Sequence, residues 1–210
     1  MLPAGGESPP EIFLARLNDR APAFGLTLPL PALDRLARYL AFVDLWRRRT
    51  NLTGPIDADS LADHALECAL GADLLPAGPV ADIGSGAGFP GIPLALLRKD
   101  VVITPVEPRR LRREFLNLAA RELRLENVTL SVPSVRGLPA STIRAAVARA
   151  VGGIADILAE PAFLAPRALF LAWTTEPETL ARDLGGHFRL RKTHPVPTTQ
   201  HKTIAVFQRV

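Results

Sequence analysis

The hydrophobic pattern divides the chain into a helical first third and an alternating remainder. Apolar residues recur every three or four positions within 31–49, which is typical of an amphipathic helix. They are Leu33, Leu36, Leu40, Val43 and Trp46. Two further helices are predicted over 11–20 and 59–75. We therefore expect residues 1–76 to form a helical cap that packs on the same core as the rest of the chain.

Beyond the break at Ala77-Gly78-Pro79, short apolar runs alternate with helical segments. This alternation over 77–210 predicts an α/β fold with a doubly wound sheet. Only 141–157 is ambiguous, because its many alanines favour a helix. The expected strands lie near Val80, Val101, Val128, Ala168, Arg189 and Ile204.

Composition limits the size and class of the protein. With 210 residues and 48% hydrophobic content, the chain can bury one large core, so we expect one structural domain and a monomer. The net charge of +4 permits nucleic-acid binding without establishing it. The single cysteine, Cys68, excludes an internal disulfide, and the four scattered histidines predict no metal site. Because no signal peptide or membrane span is recognisable, we expect a cytoplasmic protein.

The most specific motif is a glycine-rich loop that follows a short apolar strand, with Asp82 two residues before Gly84. Glycine tolerates positive φ and lets a ligand approach the backbone closely. Amide groups at the start of the next helix would face a ligand carboxylate, and Asp82 would engage an ammonium group. The pattern predicts a site for the methyl donor S-adenosylmethionine. The expected contacts from this segment are Asp82, Gly84, Ser85, Gly86, Gly88 and Phe89.

Two other interpretations of the loop stay open. Residues 86–91 satisfy the dinucleotide fingerprint Gly-x-Gly-x-x-Gly, and a glycine-rich turn without a ligand would have a similar sequence. The dinucleotide motif needs no upstream acid, however, and the strand ends two residues too early for it. Glu107 also favours the donor site, because it lies 23 residues after Gly84, close to the ~20-residue spacing of an acid that binds ribose hydroxyls. A solvated acid at a strand end is the alternative for Glu107.

At these residues the chain resembles the bacterial small-subunit (16S) ribosomal RNA (guanine-N(7))-methyltransferases, the glucose-inhibited division protein B family. The resemblance implies a Rossmann-like class I S-adenosylmethionine-dependent methyltransferase. It also implies a short strand at 145–149 and a closing antiparallel hairpin of 188–191 with 203–208. The likeness is sharpest at 84–93, and it is supported at Leu45-Trp46, Asn51-Leu52-Thr53, Arg112, Phe115-Leu116, 122–127 and Arg149-Ala150-Val151.

The chain departs from the family pattern at several positions, which affect the RNA contacts and the adenine pocket more than the donor loop. The turn Ser134-Val135-Arg136 corresponds to a family turn that lines the adenine pocket, so Val135 and Arg136 are expected donor contacts. A divergent methyltransferase with another substrate and a non-catalytic RNA-binding relative therefore stay open as alternatives. The replacements are Asp63 for an arginine before His64, Glu67-Cys68 for Asp-Ser, Glu107-Pro108 for Asp-Ser, and Trp173 for a lysine.

Methylation of guanine N7 requires no general base, because this ring nitrogen already carries a free lone pair. The protein must mainly hold the base and the donor in line. Arg149, which matches a family arginine, is the candidate at the donor and base pocket, with a strand-end salt bridge as the alternative. His64 is a second candidate catalytic residue, although a buried structural histidine is the alternative on an Ala/Leu-rich helix.

Four arginines in five positions follow Glu107 at the start of a predicted helix. Cations are unfavourable near a helix N-terminus, so we expect these side chains to contact RNA phosphates. Arg47-Arg48-Arg49 has an equally good structural explanation at the end of its helix. Trp173 is a candidate for stacking on a base, whereas Trp46 is expected in the core. The expected RNA contacts are Arg109, Arg110, Arg112 and Arg113.

Overall fold

The structure is a computed structural model that describes residues 9–47, 52–54 and 56–210. The first part of the described chain forms three α-helices. These are α1 (Pro10–Arg20), α2 (Leu30–Arg47) and α3 (Ala58–Ala69). Asp57 caps α3, since its side chain accepts a hydrogen bond from the Ser60 amide at 2.7 Å. The third helix is shorter than predicted, because the chain turns into a 3₁₀ segment at Ala72–Leu74. The predicted basic residues Arg48 and Arg49 lie outside the described residues.

The remainder of the described chain forms a six-stranded sheet in the order β2-β1-β3-β4-β6-β5. Strands β1 to β4 are parallel, while β6 runs antiparallel to both β4 and β5. The predicted doubly wound fold and its closing hairpin are thus confirmed. The strands are β1 (Gly78–Ile83), β2 (Val101–Val106), β3 (Ile143–Arg149), β4 (Leu164–Thr174), β5 (Phe188–Pro195) and β6 (Thr203–Arg209). The intervening helices are α4 (Gly91–Leu97), α5 (Arg110–Glu122), α6 (Ile154–Leu158) and α7 (Pro177–Asp183).

Two segments show how tertiary context decides local structure. The alanine-rich segment forms β3, as the family resemblance implies, because Ala145 to Ala148 are buried between neighbouring strands and packing overrides helix propensity. The prediction of a regular strand near Val128 is wrong. Val128 and Val132 form only isolated bridges beside β2. Pro105 in the middle of β2 has no N–H to donate, so the ladder on that side is interrupted.

The buried residues form clusters on the two faces of the sheet. One cluster joins the first three helices to the sheet, because Tyr39 and Leu61 share it with Val80 and Leu171. The other lies on the opposite face and contains Phe170. The carboxyl ends of β1 to β4 meet at one edge, where ligands of open α/β sheets bind. No helix in the described part of the chain is long and apolar enough to span a membrane.

Candidate functional site

The glycine-rich loop leaves β1 at this edge, and its glycines have different surroundings. Gly84 has φ +71°, and a Cβ there would lie 2.6 Å from Cγ2 of Val151. A Cβ on Gly88 would likewise lie 2.6 Å from Cδ1 of Ile92, so both glycines permit close packing within the protein. Gly86 has φ +56°, but a Cβ there would meet no atom closer than 3.7 Å. Gly86 is therefore the glycine that faces open space, where a ligand can approach the backbone.

Asp82 lies beneath the loop and is only 1% exposed. Its Oδ2 accepts a hydrogen bond from the Gly91 amide at 3.2 Å, whereas Oδ1 is buried and has no hydrogen-bond partner among the described residues. Burial raises the pKa of Asp82 to about 7, although the Gly91 amide and the nearby Ser85 hydroxyl, which donates to the backbone carbonyl of Asp82 at 2.8 Å, oppose the increase. An unsatisfied buried acceptor costs roughly 1–3 kcal/mol. This carboxylate therefore fits a ligand that carries an ammonium group.

Glu107 connects the donor loop to the start of α5. It is 3% exposed, so the alternative of a solvated strand-end acid is wrong. Its Oε2 accepts from the Gly86 amide and its Oε1 from the Arg109 amide, both at 3.0 Å. Each carboxylate oxygen has a second lone pair, so the group can still accept a hydrogen bond from a ribose hydroxyl.

The helical cap supports the loop from behind. Tyr39 donates a hydrogen bond to the carbonyl of Ala87 at 2.8 Å, and its ring centroid is 5.3 Å from that of Phe89. Phe89 is only 8% exposed and also packs edge-on against His64. This placement makes Phe89 an anchor between loop and cap, and its contact with the donor stays a prediction. Sequence reasoning missed Tyr39, whose only signal is a hydroxyl on the apolar face of α2.

His64 is half-buried between α3 and the loop. Burial and, to a smaller extent, the positive charge of Arg149 lower its pKa to about 4, although Glu67 opposes the decrease. The imidazole is therefore neutral at pH 7. A base with a pKa of about 4 takes up a proton poorly near neutral pH, so the environment of His64 does not suit it to general-base catalysis.

A buried carboxylate holds two cations beside the loop. Glu67 is 3% exposed, and its Oε2 accepts from Arg149 Nη2 at 3.0 Å while its Oε1 accepts from Lys202 Nζ at 2.6 Å. Because Ile83 pairs with Ala148 in the sheet, Arg149 ends its strand next to the start of the loop. Arg149 thus forms the strand-end salt bridge that is the alternative to a pocket role, and its place at the donor and base pocket stays a prediction. Sequence reasoning missed Lys202, which is distant in the chain and carries no motif.

Trp173 lies between this cluster and a cavity. Its Nε1 donates to the backbone carbonyl of Glu67 at 2.8 Å, and a Cβ on Gly71 would lie 2.6 Å from its ring. With 6% exposure, Trp173 presents little of its ring to solvent, and its stacking on a base stays a prediction. The cavity has a volume of about 330 Å³ and lies at the ends of β3 and β4. Its lining includes Ala150, Val151, Gly152, Trp173, Thr174 and Asp183.

The four arginines after Glu107 do not share one environment. Arg109 and Arg110 are exposed, and Arg110 pairs with Glu114 at 3.3 Å. Arg112 is half-buried, and its Nη1 lies 3.7 Å from the point that a Cβ on Gly86 would occupy. Arg113 donates from Nη1 to the carbonyls of residues 107 and 108, at 3.0 and 2.7 Å. Arg113 therefore holds the end of β2, and the outward-facing positive surface consists of Arg109 and Arg110.

Two further predicted positions lie at the edges of this region. Val135 and Arg136 lie in the 3₁₀ turn Val135–Gly137. This turn begins three residues after Val132, whose carbonyl accepts a hydrogen bond from the Glu107 amide at 3.0 Å. Val135 is half-buried and Arg136 is exposed. Their contact with the donor stays a prediction.

Asp63, which stands where the family resemblance expects an arginine, pairs with Arg20 of α1. The Arg20 guanidinium donates to both Asp63 oxygens, at 2.6 and 2.5 Å. The replacement of a cation by an acid thus has a partner on a neighbouring helix. Asp63 joins α1 to α3 rather than pointing to a separate ligand site.

Comparison with known proteins agrees with this geometry. The family described as rRNA small subunit methyltransferase G matches residues 32–176. Ribosomal RNA small subunit methyltransferase G of Halorhodospira halophila is 34% identical over 182 residues, which cover 81% of this chain and 87% of the relative. The enzyme of the same name from Neisseria gonorrhoeae is 37% identical over 181 residues, covering 84% and 78%.

Solved structures with low identity show the same fold. M. jannaschii TYW2 in complex with AdoMet is 16% identical with a TM-score of 0.56, covering 70% of this chain and 77% of that protein. The [4+2]-cyclase SpnF, also 16% identical, has a TM-score of 0.58 and covers 75% and 84%. Because one of these neighbours is named as a cyclase, the fold alone does not define a reaction.

Proposed function

This chain belongs to the rRNA small subunit methyltransferase G family, and from that premise we propose that it transfers a methyl group from S-adenosylmethionine to N7 of a guanine in small-subunit ribosomal RNA. The observation that carries the donor assignment is the buried Oδ1 of Asp82, which has no hydrogen-bond partner among the described residues. Gly86, four residues later, leaves its backbone open to a ligand. A neutral dinucleotide-type turn would not need this acid.

Different residues of the chain would bind different parts of the donor. Asp82 would bind the ammonium group, Glu107 would accept hydrogen bonds from the ribose, and the turn at Val135 and Arg136 would lie against the adenine. When bound, S-adenosylmethionine supplies an electrophilic methyl group on a sulfonium. The buried Asp82 and the amide-bound Glu107 are held in place by backbone contacts, so the site is largely preorganised.

The acceptor side is formed by the cavity at the ends of β3 and β4, whose 330 Å³ falls in the range of small-ligand sites. Arg149 directly precedes Ala150 of the lining but is not itself a lining residue, and its guanidinium lies on the Glu67 side. A guanidinium can donate to guanine O6, as arginine does in base readout, so Arg149 would select and orient the base. Glu67 fixes the Arg149 side chain through the 3.0 Å contact.

No proton has to be removed before transfer, because the lone pair of guanine N7 lies free in the plane of the ring. The neutral His64 therefore has no proton to accept in this step, and its contact with Phe89 gives it a packing role. Rate acceleration would come from holding the base and the donor in line at contact distance. Arg109 and Arg110, exposed beside Glu107, would anchor RNA phosphates and hold the acceptor over the site.

Mapping of 7-methylguanine tests the proposal. Small-subunit RNA from cells with and without the protein is treated with borohydride and aniline, which cleave the chain at 7-methylguanine. We expect one cleavage that disappears without the protein and returns with the wild type but not with Asp82→Asn. A cleavage pattern that does not depend on the protein would exclude this reaction.

Donor calorimetry separates the proposal from a non-catalytic RNA-binding relative. An active enzyme binds S-adenosylmethionine, and Asp82→Asn weakens the interaction. A folded wild type that binds ribosomal RNA but shows no heat with the donor would favour the non-catalytic alternative.

A further inference from the structure

A cavity of about 360 Å³ lies beside the donor loop, between the end of α2 and the start of α5. Its apolar residues include Leu111, which is 65% exposed although it lies in an arginine-rich turn. An aromatic and aliphatic interior is thus combined with guanidinium groups. The lining residues are Trp46, Leu52, Arg109, Arg110, Leu111, Arg112 and Phe115.

The cavity adjoins the donor site directly. Arg109, one of its lining residues, donates its backbone amide to Oε1 of Glu107 at 3.0 Å. Arg112, another lining residue, reaches to 3.7 Å from the Cβ position of Gly86. A molecule in the cavity would therefore lie next to the donor site, on the side where α5 begins.

The first turn of α5 breaks two local rules at once. It contains no acidic residue and instead carries Arg110 and Arg112, which oppose the positive end of the helix dipole, with Arg110 in an exposed pair with Glu114 of the next turn at 3.3 Å. It also exposes Leu111 to solvent. Such conflicts are expected at functional sites, where a ligand offsets their cost. A ligand that satisfies both features would be anionic and would also present an apolar surface.

We propose that this cavity binds an unpaired nucleobase of the ribosomal RNA close to the target guanine, with the adjoining phosphates on Arg109 and Arg110. Single-stranded RNA is recognised by stacking of splayed bases on aromatic and guanidinium planes, together with phosphate contacts. The inference rests on the proposed function and adds a second RNA site beside the acceptor pocket. It separates the roles of the side chains, with Leu111 contacting the base and Arg109 contacting the backbone.

A second cavity is also lined by arginines, but the rest of its lining differs from that of the first, so it provides controls. It lies at the other end of α5 and is lined by Arg35, Arg38 and Arg124 together with the acidic Glu122. The aromatic residues of the first cavity are absent from this lining. Arg124 therefore provides a charge-matched control that is far from the donor loop. Leu130, which is 77% exposed, provides the control for loss of an exposed leucine.

The test measures the affinity of the full chain for a fluorescently labelled small-subunit RNA fragment at several salt concentrations. Leu111→Ala should bind about five- to tenfold more weakly with an unchanged salt slope, because only base contact is lost. Arg109→Gln should bind more weakly and with a shallower slope. Leu130→Ala and Arg124→Gln should bind as the wild type does, and all four variants should keep wild-type affinity for S-adenosylmethionine.

Abasic substitutions then identify the bound base. RNA fragments that lack one base at each unpaired position near the target are titrated against wild type and Leu111→Ala. At one position the abasic fragment should bind both proteins equally, because the base and the leucine act through the same contact.

Three results would overturn the inference: Leu111→Ala binds RNA as tightly as Leu130→Ala, no abasic position removes the difference, or Leu111→Ala loses donor affinity instead. Failure of the proposed function looks different. In that case the wild type itself does not methylate the RNA, whatever the affinity of the Leu111 variant.

Discussion

Donor binding should depend on pH through Asp82. Burial raises the pKa of this carboxyl to about 7 in the free protein, and an ammonium group would bind its ionised form. Protons and the donor therefore compete, and the apparent dissociation constant scales with one plus the ratio of protonated to ionised Asp82. Between about pH 7.5 and about pH 6 this factor rises from about 1.3 to about 11, so affinity should fall about eightfold.

Calorimetry at these two pH values measures the effect, with two controls. 5′-Methylthioadenosine lacks the amino acid portion of the donor, so its affinity should be nearly independent of pH in this range. Asp82→Asn should bind S-adenosylmethionine weakly at both pH values and lose the pH dependence. Equal affinity of the wild type at both values, or the same slope in Asp82→Asn, would refute the assignment of the ammonium group to Asp82.

The stability of the free protein should also depend on pH through Asp82, which can be measured independently of donor binding. Its folded-state pKa lies above the ordinary value of 3.8, so its contribution to stability is present at low pH and is lost as pH rises through about 7. The difference between these two pKa values, about three, corresponds to a loss of at most about 4 kcal/mol in the free energy of unfolding. Asp82→Asn should therefore unfold at a higher temperature than the wild type near pH 8, with a smaller difference near pH 5. A difference that does not change with pH would show that Asp82 is not the titrating group.

Three other outcomes are expected. Gly86→Val should fold, at a cost of roughly 1–2 kcal/mol for its positive φ, but should lose donor binding; normal donor affinity would move the site elsewhere. Arg109→Glu with Arg110→Glu should weaken RNA binding and flatten its salt dependence relative to Arg189→Glu, and an unchanged slope would relocate the RNA surface. At saturating donor, the single-turnover rate should stay nearly flat from about pH 6.5 to about pH 8.5 in wild type and His64→Gln, whereas a rise with pH that the variant abolishes would make His64 a base.

Sequence periodicity predicted the class of the fold because helices and strands repeat their apolar residues with different periods. Periodicity failed where contacts with another segment of the chain determined the local structure. Pro105 interrupts pairing beside β2, so Val128 lies in no regular strand, and this effect cannot be seen in the residues around Val128 themselves. The alanines of 145–148 have a helical preference, and only their burial between two strands makes them β3.

The candidate site was predictable where residue type and spacing reflect a backbone requirement, as at Asp82 and the glycine loop. Which glycine faces the ligand was not predictable, because the answer depends on Val151 and Ile92 from other segments. The roles of neighbouring arginines were equally hidden. Arg113 binds two carbonyl groups of the strand end, while Arg109 faces solvent, and nothing in the repeated residue type distinguishes them.

Two of the departures from the family pattern, at positions 67 and 173, contact each other. Trp173 stands where a lysine is expected, and its ring fills the space against Gly71 while its Nε1 binds the carbonyl of Glu67. The Glu67 carboxylate in turn holds Lys202 at 2.6 Å, so an ammonium group from β6's N-terminal side is present next to Arg149. Arg149 and Lys202 therefore keep two positive charges around Glu67, although position 173 carries no cation. The contact between the substituted residues Glu67 and Trp173 thus leaves a cationic site in place, which is a reason to regard the chain as an active rather than a degenerate member of its family.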